Sequence, residues 1–348
     1  MRKNTKQIYV GDVPVGGTSP ITVQSMTNTI TRDIESTVNQ IISLEQCGCD
    51  IIRSAINNID DAKAIPIIKE QIHIPIIGDI QFDYRLAIEA VKNGVDCLRI
   101  NPGNIGNKDR VKEVVNCCKE YDVPIRVGVN SGSISQKFID KYGGVNSDSL
   151  VYSCLEQVEF LESLGFYDMK LALKSSDVNM TIESYKKISE LTNYPLHVGI
   201  TEAGPKSTGI IKSAVGIGSL LSQGIGDTIR VSLTAPPEEE VIVGKEILKS
   251  LKLKTEGVNI VSCPTCARTN IDLIKIVEEA EERLKTVDKN ITVAIMGCVV
   301  NGPGEAREAD IGITGGNGEG LIFKKGKIVK KVSEEFLLDE LMNEIEKM

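Results

Sequence analysis

Cys263-Pro-Thr-Cys266, followed by Gly297-Cys298-Val-Val-Asn301-Gly302-Pro303-Gly304-Glu305, combines residue types and spacing that bind metal. A C-x-x-C pair with a third Cys beyond the next helical stretch offers three soft thiolates, which suit zinc or an iron–sulfur cluster. No Cys follows Cys298, and both histidines, His73 and His197, lie upstream. A local Cys3His zinc site is therefore excluded, which weakens the case for zinc. Three thiolates with an oxygen ligand or an open position on one iron fit an iron–sulfur cluster better, with Glu305 in the turn-rich loop as the oxygen donor. A structural zinc knuckle, or a C-x-x-C pair that merely packs, is the plainer alternative.

A second set of residues recurs at the ends of apolar, strand-like segments. In chain order these are Gln24, Arg53, Asp79 with Gln81, Arg99 with Asn101, and Arg126 with Asn130. Lys170 with Lys174, Glu202, and Arg230 with Ser232 complete it. Residues two apart on a strand share a face, so each group points to one side of its sheet. If the strands form a barrel, Arg53, Arg99, Arg126, Lys174 and Arg230 converge on its mouth. Burying several cations together costs several kcal/mol each unless an anion compensates, and guanidinium forks match phosphate oxygens. The set therefore points to a multiply charged, diphosphate-bearing small molecule. The competing explanation pairs each Arg with a nearby carboxylate: Asp79, Asp96, Glu202 or Asp227.

The elements that must position these residues follow a strand–helix rhythm. Strands are predicted at Ile21–Met26, Ile51–Ala55, Ile76–Gln81, Cys97–Ile100, Ile125–Asn130, Met169–Lys174, Leu196–Thr201 and Thr228–Leu233. Helical periodicity separates them, as at Ile34–Gln46, Arg85–Asn93, Lys108–Tyr121, Ser149–Leu164 and Pro237–Leu251. Eight strands each followed by a helix predict a (β/α)8 barrel, whose catalytic groups sit at the C-terminal strand ends. An open doubly wound sheet would want a glycine fingerprint after its first strand, and Gln24-Ser-Met-Thr-Asn-Thr is not one. A small hairpin using Thr5–Val10 and a Gly16-Gly17 turn precedes the barrel. After a linker at Lys252–Gly257 comes a smaller α+β segment. It has strands at Val258–Ser262, Ile291–Ile295 and Ile311–Thr314, a hairpin within Leu321–Val329, and helices at Asn270–Thr286 and Ser333–Lys347. The expected division is a substrate-binding barrel over residues 1–254 and a metal-binding domain over 255–348.

Bulk composition narrows the classes. With 348 residues, 41% hydrophobic and 25% charged, the chain has the profile of a globular protein with a sizeable core. A net charge of −8 argues against a general nucleic-acid binder. No apolar run approaches the ~20 residues of a membrane span, and the N-terminus shows no signal-peptide core. A cytoplasmic location with reduced thiols is expected, with Cys47, Cys49, Cys97, Cys117, Cys118 and Cys154 as packing residues.

Taken together, Gly78-Asp-Ile-Gln-Phe-Asp83, Leu98-Arg-Ile-Asn-Pro-Gly-Asn104, Ile125-Arg-Val-Gly-Val-Asn-Ser-Gly132, Leu173-Lys-Ser-Ser-Asp177 and Thr201-Glu-Ala-Gly204 precede the cysteine motifs in order. In this the chain resembles the 4-hydroxy-3-methylbut-2-enyl diphosphate synthases of the bacterial two-domain type, over essentially its whole length. The resemblance implies a [4Fe-4S] enzyme of the non-mevalonate isoprenoid pathway. Such an enzyme opens and dehydroxylates 2-C-methyl-D-erythritol 2,4-cyclodiphosphate with two electrons from flavodoxin or ferredoxin. It also implies Cys263, Cys266, Cys298 and Glu305 as cluster ligands. Arg53, Arg99, Asn101, Arg126, Asn130, Lys174, Arg230 and Ser232 match the substrate pocket. Glu202 matches the acidic residue near the reacting carbons; Asp79 is expected as a further catalytic residue and Gln81 as a substrate-binding one.

One position departs from the family pattern: the motif usually reads Asp-Ile-His-Phe-Asp, and here the His is Gln81. Gln can donate a hydrogen bond to an oxyanion but cannot relay a proton near neutral pH. Glu202 could protonate the departing hydroxyl if an apolar, substrate-lined setting keeps it protonated. Other classes to set against this are a pterin-type methyl-transfer barrel with a structural metal domain, and an iron–sulfur redox sensor. A homodimer is also expected. The linker of six residues reaches at most about 20 Å, while the last barrel helix carries the chain away from the mouth. The resemblance likewise implies a head-to-tail dimer with each cluster domain over the partner's barrel.

Overall fold

The computed structural model describes residues 2–254, 257–298, 307–316 and 318–348. They divide into two compact units, with the boundary between Lys254 and Thr255.

The first unit opens with an antiparallel hairpin, β1 (Ile8–Val10) and β2 (Val13–Val15). The chain reverses at Gly11-Asp12, not at Gly16-Gly17 as expected, because Gly11 takes a left-handed φ of +58° and leaves a two-residue turn. Ile8, Val10 and Val15 pack against Ile51, Ile77 and Cys97, which lie at or near the N-terminal ends of three barrel strands. The hairpin thus closes the end of the barrel opposite the mouth.

Eight parallel strands follow: β3 (Thr22–Met26), β4 (Ile51–Ala55), β5 (Ile76–Asp79), β6 (Cys97–Ile100), β7 (Ile125–Asn130), β8 (Met169–Lys174), β9 (His197–Val198) and β10 (Thr228–Ile229). They hydrogen-bond in the order β8-β7-β6-β5-β4-β3-β10-β9. A parallel bridge from Leu171 to Leu196 joins the two ends and closes the barrel. The helices are α1 (Ile34–Gln46), α2 (Ile59–Lys69), α3 (Tyr84–Lys92), α4 (Lys108–Glu120), α5 (Gln136–Tyr142), α6 (Ser147–Ser163), α7 (Val178–Leu191), α8 (Lys206–Leu221) and α9 (Pro237–Ser250). Asp33, Asn58, Asp83, Asn107, Asn146 and Asp177 cap α1, α2, α3, α4, α6 and α7 by accepting a first-turn backbone N–H. Each such cap is worth about 1 kcal/mol and ends a strand-to-helix loop at the mouth with defined geometry. The seven-residue α5 is too short to show a helical period and was not expected.

β9 and β10 are shorter than the predicted Leu196–Thr201 and Thr228–Leu233. The reason is steric. A Cβ on Gly199 would sit 2.3 Å from the Arg230 carbonyl oxygen, so the two segments run closer there than ladder spacing allows. Beyond that point both chains serve as loops of the mouth.

The second unit contains β11 (Asn259–Ser262), α10 (Leu273–Leu284), β12 (Thr292–Met296), β13 (Ile311–Gly316), β14 (Glu319–Lys324), β15 (Lys327–Ser333) and α11 (Leu337–Glu346). Its sheet runs in that strand order. β11, β12 and β13 are parallel, and the β13–β14 and β14–β15 pairs are antiparallel. Its own core includes Leu273, Ala280, Leu284, Val293, Ile295, Ile311, Ile313, Ile322, Leu337 and Leu341. Among the described residues no helix is long and apolar enough to cross a membrane.

Candidate active site and candidate cluster site

Period two and parallel register decide which barrel residues look inward. Met26 is the Cα partner of Arg53, Asp79 of Arg99, Arg99 of Arg126, and Asn130 of Lys174. At the C-terminal end these side chains enclose a cavity of about 290 Å3 lined by Met26, Arg53, Asp79, Gln81, Arg99, Arg126, Gly128, Asn130, Ala172, Lys174, Thr201, Arg230 and Ser232. A second cavity of about 350 Å3 shares Gln81, Arg99, Asn130 and Thr201 with it and adds Asn101, Asn104, Ser131, Gly132, Ser133 and Glu202. The structure therefore brings together most of the expected barrel residues on one continuous polar surface; Gln24 is not among them, being buried two residues before Met26 as the Cα partner of Ile51.

The charges there do not balance. Arg99 Nη1 lies 3.1 Å from Asp79 Oδ1, and Arg53 Nε lies 3.9 Å from Asp79 Oδ2. Arg230 Nη2 is 3.5 Å from Glu240 Oε2, a partner on α9 that the sequence did not suggest. Of the other carboxylates considered, Asp96 pairs with Lys69 and Asp227 with Arg2, while Glu202 lies exposed on the same surface. Five cationic side chains thus face two paired carboxylates and one exposed one. Nε of Arg99 and Arg230, and both Nε and Nη1 of Arg126, are buried without a hydrogen-bond partner among the described residues. Burial, followed by the Arg99 guanidinium, pushes Arg126 down to about 9. Arg53 and Lys174 are pushed well below their ordinary ranges by burial and by the surrounding cations. A guanidinium that keeps its proton there does so at the expense of stability, and a bound anion would relieve it.

Asp79 behaves as an organiser of these cations. Burial raises its carboxyl, but Arg53, Arg99 and Arg126 outweigh that and hold it below the usual range. It accepts hydrogen bonds from Arg99 and from the Gln81 amide at 3.2 Å. An anchored, ionised carboxylate orients donors and is not suited to deliver a proton. Glu202 is exposed, with a left-handed φ of +51°, and shares its cavity with amides and hydroxyls. The apolar surround expected for it is not supplied by the described residues.

Two more interior residues were misread or missed. Lys170 was grouped with Lys174 at the mouth, yet it lies one layer deeper, as the Cα partner of Arg126, and is fully buried. The four-residue interval gives the shared face but not the depth. Its Nζ has no partner among the described residues, and burial pushes it down to about 8. The folded value lies below the ordinary 10.5, so the unfolded chain binds more protons between the two. Stability due to Lys170 is therefore present above ~10.5 and lost as pH falls through ~8. Relative to a Lys170→Met chain, the wild type is expected to gain stability across that window in urea unfolding. A difference that stays flat with pH would mean a countercharge sits beside Nζ. The second residue, His197, was not singled out because an isolated His between apolar residues reads as core.

In the second unit, Cys263 follows β11 and Gly297-Cys298 follows β12, its parallel neighbour. The two loops are joined: the Gly297 N–H donates to Cys263 Sγ at 3.1 Å, and the Asn270 N–H donates to the Gly297 carbonyl at 3.1 Å. Cys266 is exposed, and its thiol is lowered chiefly by the Arg268 backbone N–H. Cys298 is buried. Backbone N–H groups aimed at sulfur favour thiolate over thiol, so the donor set suits a thiolate-bound cluster. Among the described residues no group of three or more His, Cys, Asp or Glu stands in metal-holding geometry, and Glu305 lies outside the described residues. Of the other cysteines, Cys49, Cys97, Cys117, Cys118 and Cys154 are buried, and Cys47 is half-buried.

Comparison with known proteins adds to this geometry. Solved dihydropteroate synthases share the barrel. The Yersinia pestis enzyme aligns with a TM-score of 0.52 at 11% identity, over 71% of this chain and 97% of that one. The Stenotrophomonas maltophilia enzyme gives 0.52 at 13%, over 71% and 97%. At such identity the likeness concerns the fold alone. Among curated proteins, the chain is 61% identical over 344 residues to a Clostridium tetani protein and 59% identical over 345 residues to one from Clostridium perfringens. Each match spans 99% of both chains. A Listeria monocytogenes protein is 53% identical over 345 residues, spanning 99% of this chain and 94% of that one. All three are named 4-hydroxy-3-methylbut-2-en-1-yl diphosphate synthase (flavodoxin). The profile of the GcpE TIM-barrel domain matches residues 5–245, and that of the GcpE protein C-terminal domain matches 259–347. With both domain profiles matched in order and relatives this similar along its whole length, the chain belongs to the GcpE family.

Proposed function

We propose that this chain is a 4-hydroxy-3-methylbut-2-en-1-yl diphosphate synthase. It takes 2-C-methyl-D-erythritol 2,4-cyclodiphosphate, opens the ring and removes a hydroxyl by reduction with two electrons, and flavodoxin is the donor. The observation that carries this reading is the set of five under-neutralised cations, two buried and three half-buried, at the mouth of a barrel. A cyclic diphosphate supplies the missing negative charge, and the relatives' shared name agrees with it. The pterin-type alternative has only the low-identity barrel likeness behind it, and a sensor needs no diphosphate pocket.

In this reading residues 1–254 bind the substrate and residues 255–348 hold a [4Fe-4S] cluster through Cys263, Cys266, Cys298 and Glu305. When bound, that cluster supplies electrons and a Lewis-acidic iron. Arg53, Arg99, Arg126, Lys174 and Arg230 hold the diphosphate and stabilise its charge as the ring opens, from positions fixed before the reaction. Asp79 keeps Arg53, Arg99 and Gln81 in place. Asn101, Asn130 and Ser232 hydrogen-bond the substrate's oxygens, and Glu202 supplies the proton for the departing hydroxyl once bound substrate shields it from water. Free cysteines throughout agree with a reducing, cytoplasmic setting. Incubating the anaerobically reconstituted protein with the cyclodiphosphate and reduced flavodoxin should yield the allylic diphosphate. Absence of turnover with a full cluster would refute the assignment.

The chain is further proposed to act as a homodimer in which the cluster domain of one protomer serves its partner's barrel. The supporting argument is reach: about 20 Å for six linker residues, against a fourteen-residue α9 that spans about 21 Å. Mixing Cys263→Ser chains with Arg126→Ala chains, each inactive alone, is expected to restore part of the activity. Verified heterodimers that stay inactive would put both halves of each site on one protomer.

A further inference from the structure

β8 and β9 meet along the seam where the barrel closes, and regular ladder pairing is sparse there. β9 spans two residues, and just before it Leu196 forms an isolated parallel bridge with Leu171 of β8. Side chains add to this. On one side the Tyr185 hydroxyl accepts the Leu173 N–H at 3.0 Å and donates to the His197 carbonyl at 2.5 Å. On the other, Lys174 Nζ lies 3.3 Å from His197 Nε2, its one hydrogen-bond partner among the described residues. His197 Nδ1 lies 3.4 Å from the Thr228 hydroxyl on β10. Gly199 leaves the space that Lys174 occupies, since a Cβ there would stand 2.8 Å from Nζ.

We infer that His197 is a positioning residue: its imidazole, held by Thr228, aims the Lys174 ammonium into the anion pocket and keeps it from being driven out by its cationic neighbours. The inference rests on the anion-binding role proposed above for Lys174. Arg126, Arg230, Arg53 and Arg99 all repel Lys174, so an ammonium without an acceptor behind it would be pushed toward solvent. His197 is fully buried, and burial together with Lys174, Arg126, Lys170 and Arg53 keeps it neutral. A neutral ring that faces an ammonium at Nε2 must offer its lone pair there and carry its proton on Nδ1, where the Thr228 hydroxyl accepts it. The acceptor has to be neutral. A carboxylate would neutralise the ammonium and spoil the pocket's positive charge, and an imidazolium would repel it.

The chain contains two histidines, and the other, His73, is exposed, so nitrogen-15 labelling of histidine resolves each ring. His197 is expected to show the Nδ1–H neutral form across the range in which an ordinary imidazole titrates. Lys174→Met should shift the His197 Nε2 resonance. In parallel, titration calorimetry with inorganic diphosphate on the full-length protein should show His197→Leu binding about tenfold more weakly. His197→Gln, whose amide oxygen can accept from Lys174, should recover most of that loss. A role in folding alone would lower thermal stability without this recovery. An Nε2 resonance that does not move in Lys174→Met, a protonated Nε2, or unchanged binding in a folded His197→Leu would each overturn the inference. If the wild type binds no diphosphate, the pocket assignment falls. The imidazole resonances then decide the Lys174 contact by themselves, and they also serve if His197→Leu fails to fold.

Discussion

A Cys263→Ser chain is expected to lose the brown cluster chromophore and essentially all reductive turnover, while Cys47→Ser keeps both. Cys263 sits at the end of β11, beside the loop that carries Cys298, and receives a backbone N–H from Gly297. No other cysteine lies in residues 267–297 or after 298, and no histidine lies in the second unit. A lost thiolate therefore has no local replacement, and a serine hydroxyl is a harder, much less acidic ligand. Cys266→Ser and Cys298→Ser should behave alike. Glu305→Ala is expected to differ: three thiolates still hold iron and sulfide, but most of kcat disappears. Iron and sulfide analysis beside turnover separates the two patterns. Full cluster content and activity in Cys266→Ser would defeat the ligand assignment, and wild-type turnover in Glu305→Ala would remove the carboxylate from the reaction.

Arg126→Met should act in opposite directions on stability and on binding. Arg126 is 2% exposed, with Nε and Nη1 unpartnered among the described residues and Arg99 and Lys170 around it. In the ligand-free chain, a Met of similar length removes an uncompensated buried charge and is expected to raise stability by about 1–3 kcal/mol. For the cyclodiphosphate the same change removes a charge-assisted donor, weakening binding by about 1.5–3 kcal/mol, or roughly 10- to 150-fold. Diphosphate at a hundred times its Kd should stabilise the wild type by about 2.7 kcal/mol, and at the same concentration should stabilise Arg126→Met far less. Urea unfolding with and without diphosphate measures both effects. A variant that is destabilised when ligand-free and binds normally would show that Arg126 is satisfied internally and holds structure, not substrate.

What the sequence by itself determined is what short-range periodicity can encode. The predicted bounds of α1, β4, β6, β7 and β8 coincide with those observed, because apolar alternation and capping residues act within a few positions of one another. The same alternation fixed which side Arg53, Arg99, Arg126, Lys174 and Arg230 face, and the closed barrel then had to bring them together. Both cysteine motifs end strands, and it is the pairing of β11 with β12 that sets them side by side.

The tertiary structure decided depth, partners and spare room. Lys170 and Lys174 share a face, but only the register with β7 puts the first beside Arg126 and the second at the mouth beside Asn130. Asp79 reaches Arg99 on the neighbouring strand, Glu240 reaches Arg230 from a helix, and Asp96 and Asp227 are taken by Lys69 and Arg2. These pairings set the net charge of the pocket, and their long sequence separations leave no periodic trace. β9 and β10 stop early because Gly199 meets the Arg230 backbone, a contact between residues thirty-one apart. His197 acquires a role only once barrel closure sets it between Lys174 and Thr228, because an imidazole's function depends on what each ring nitrogen faces.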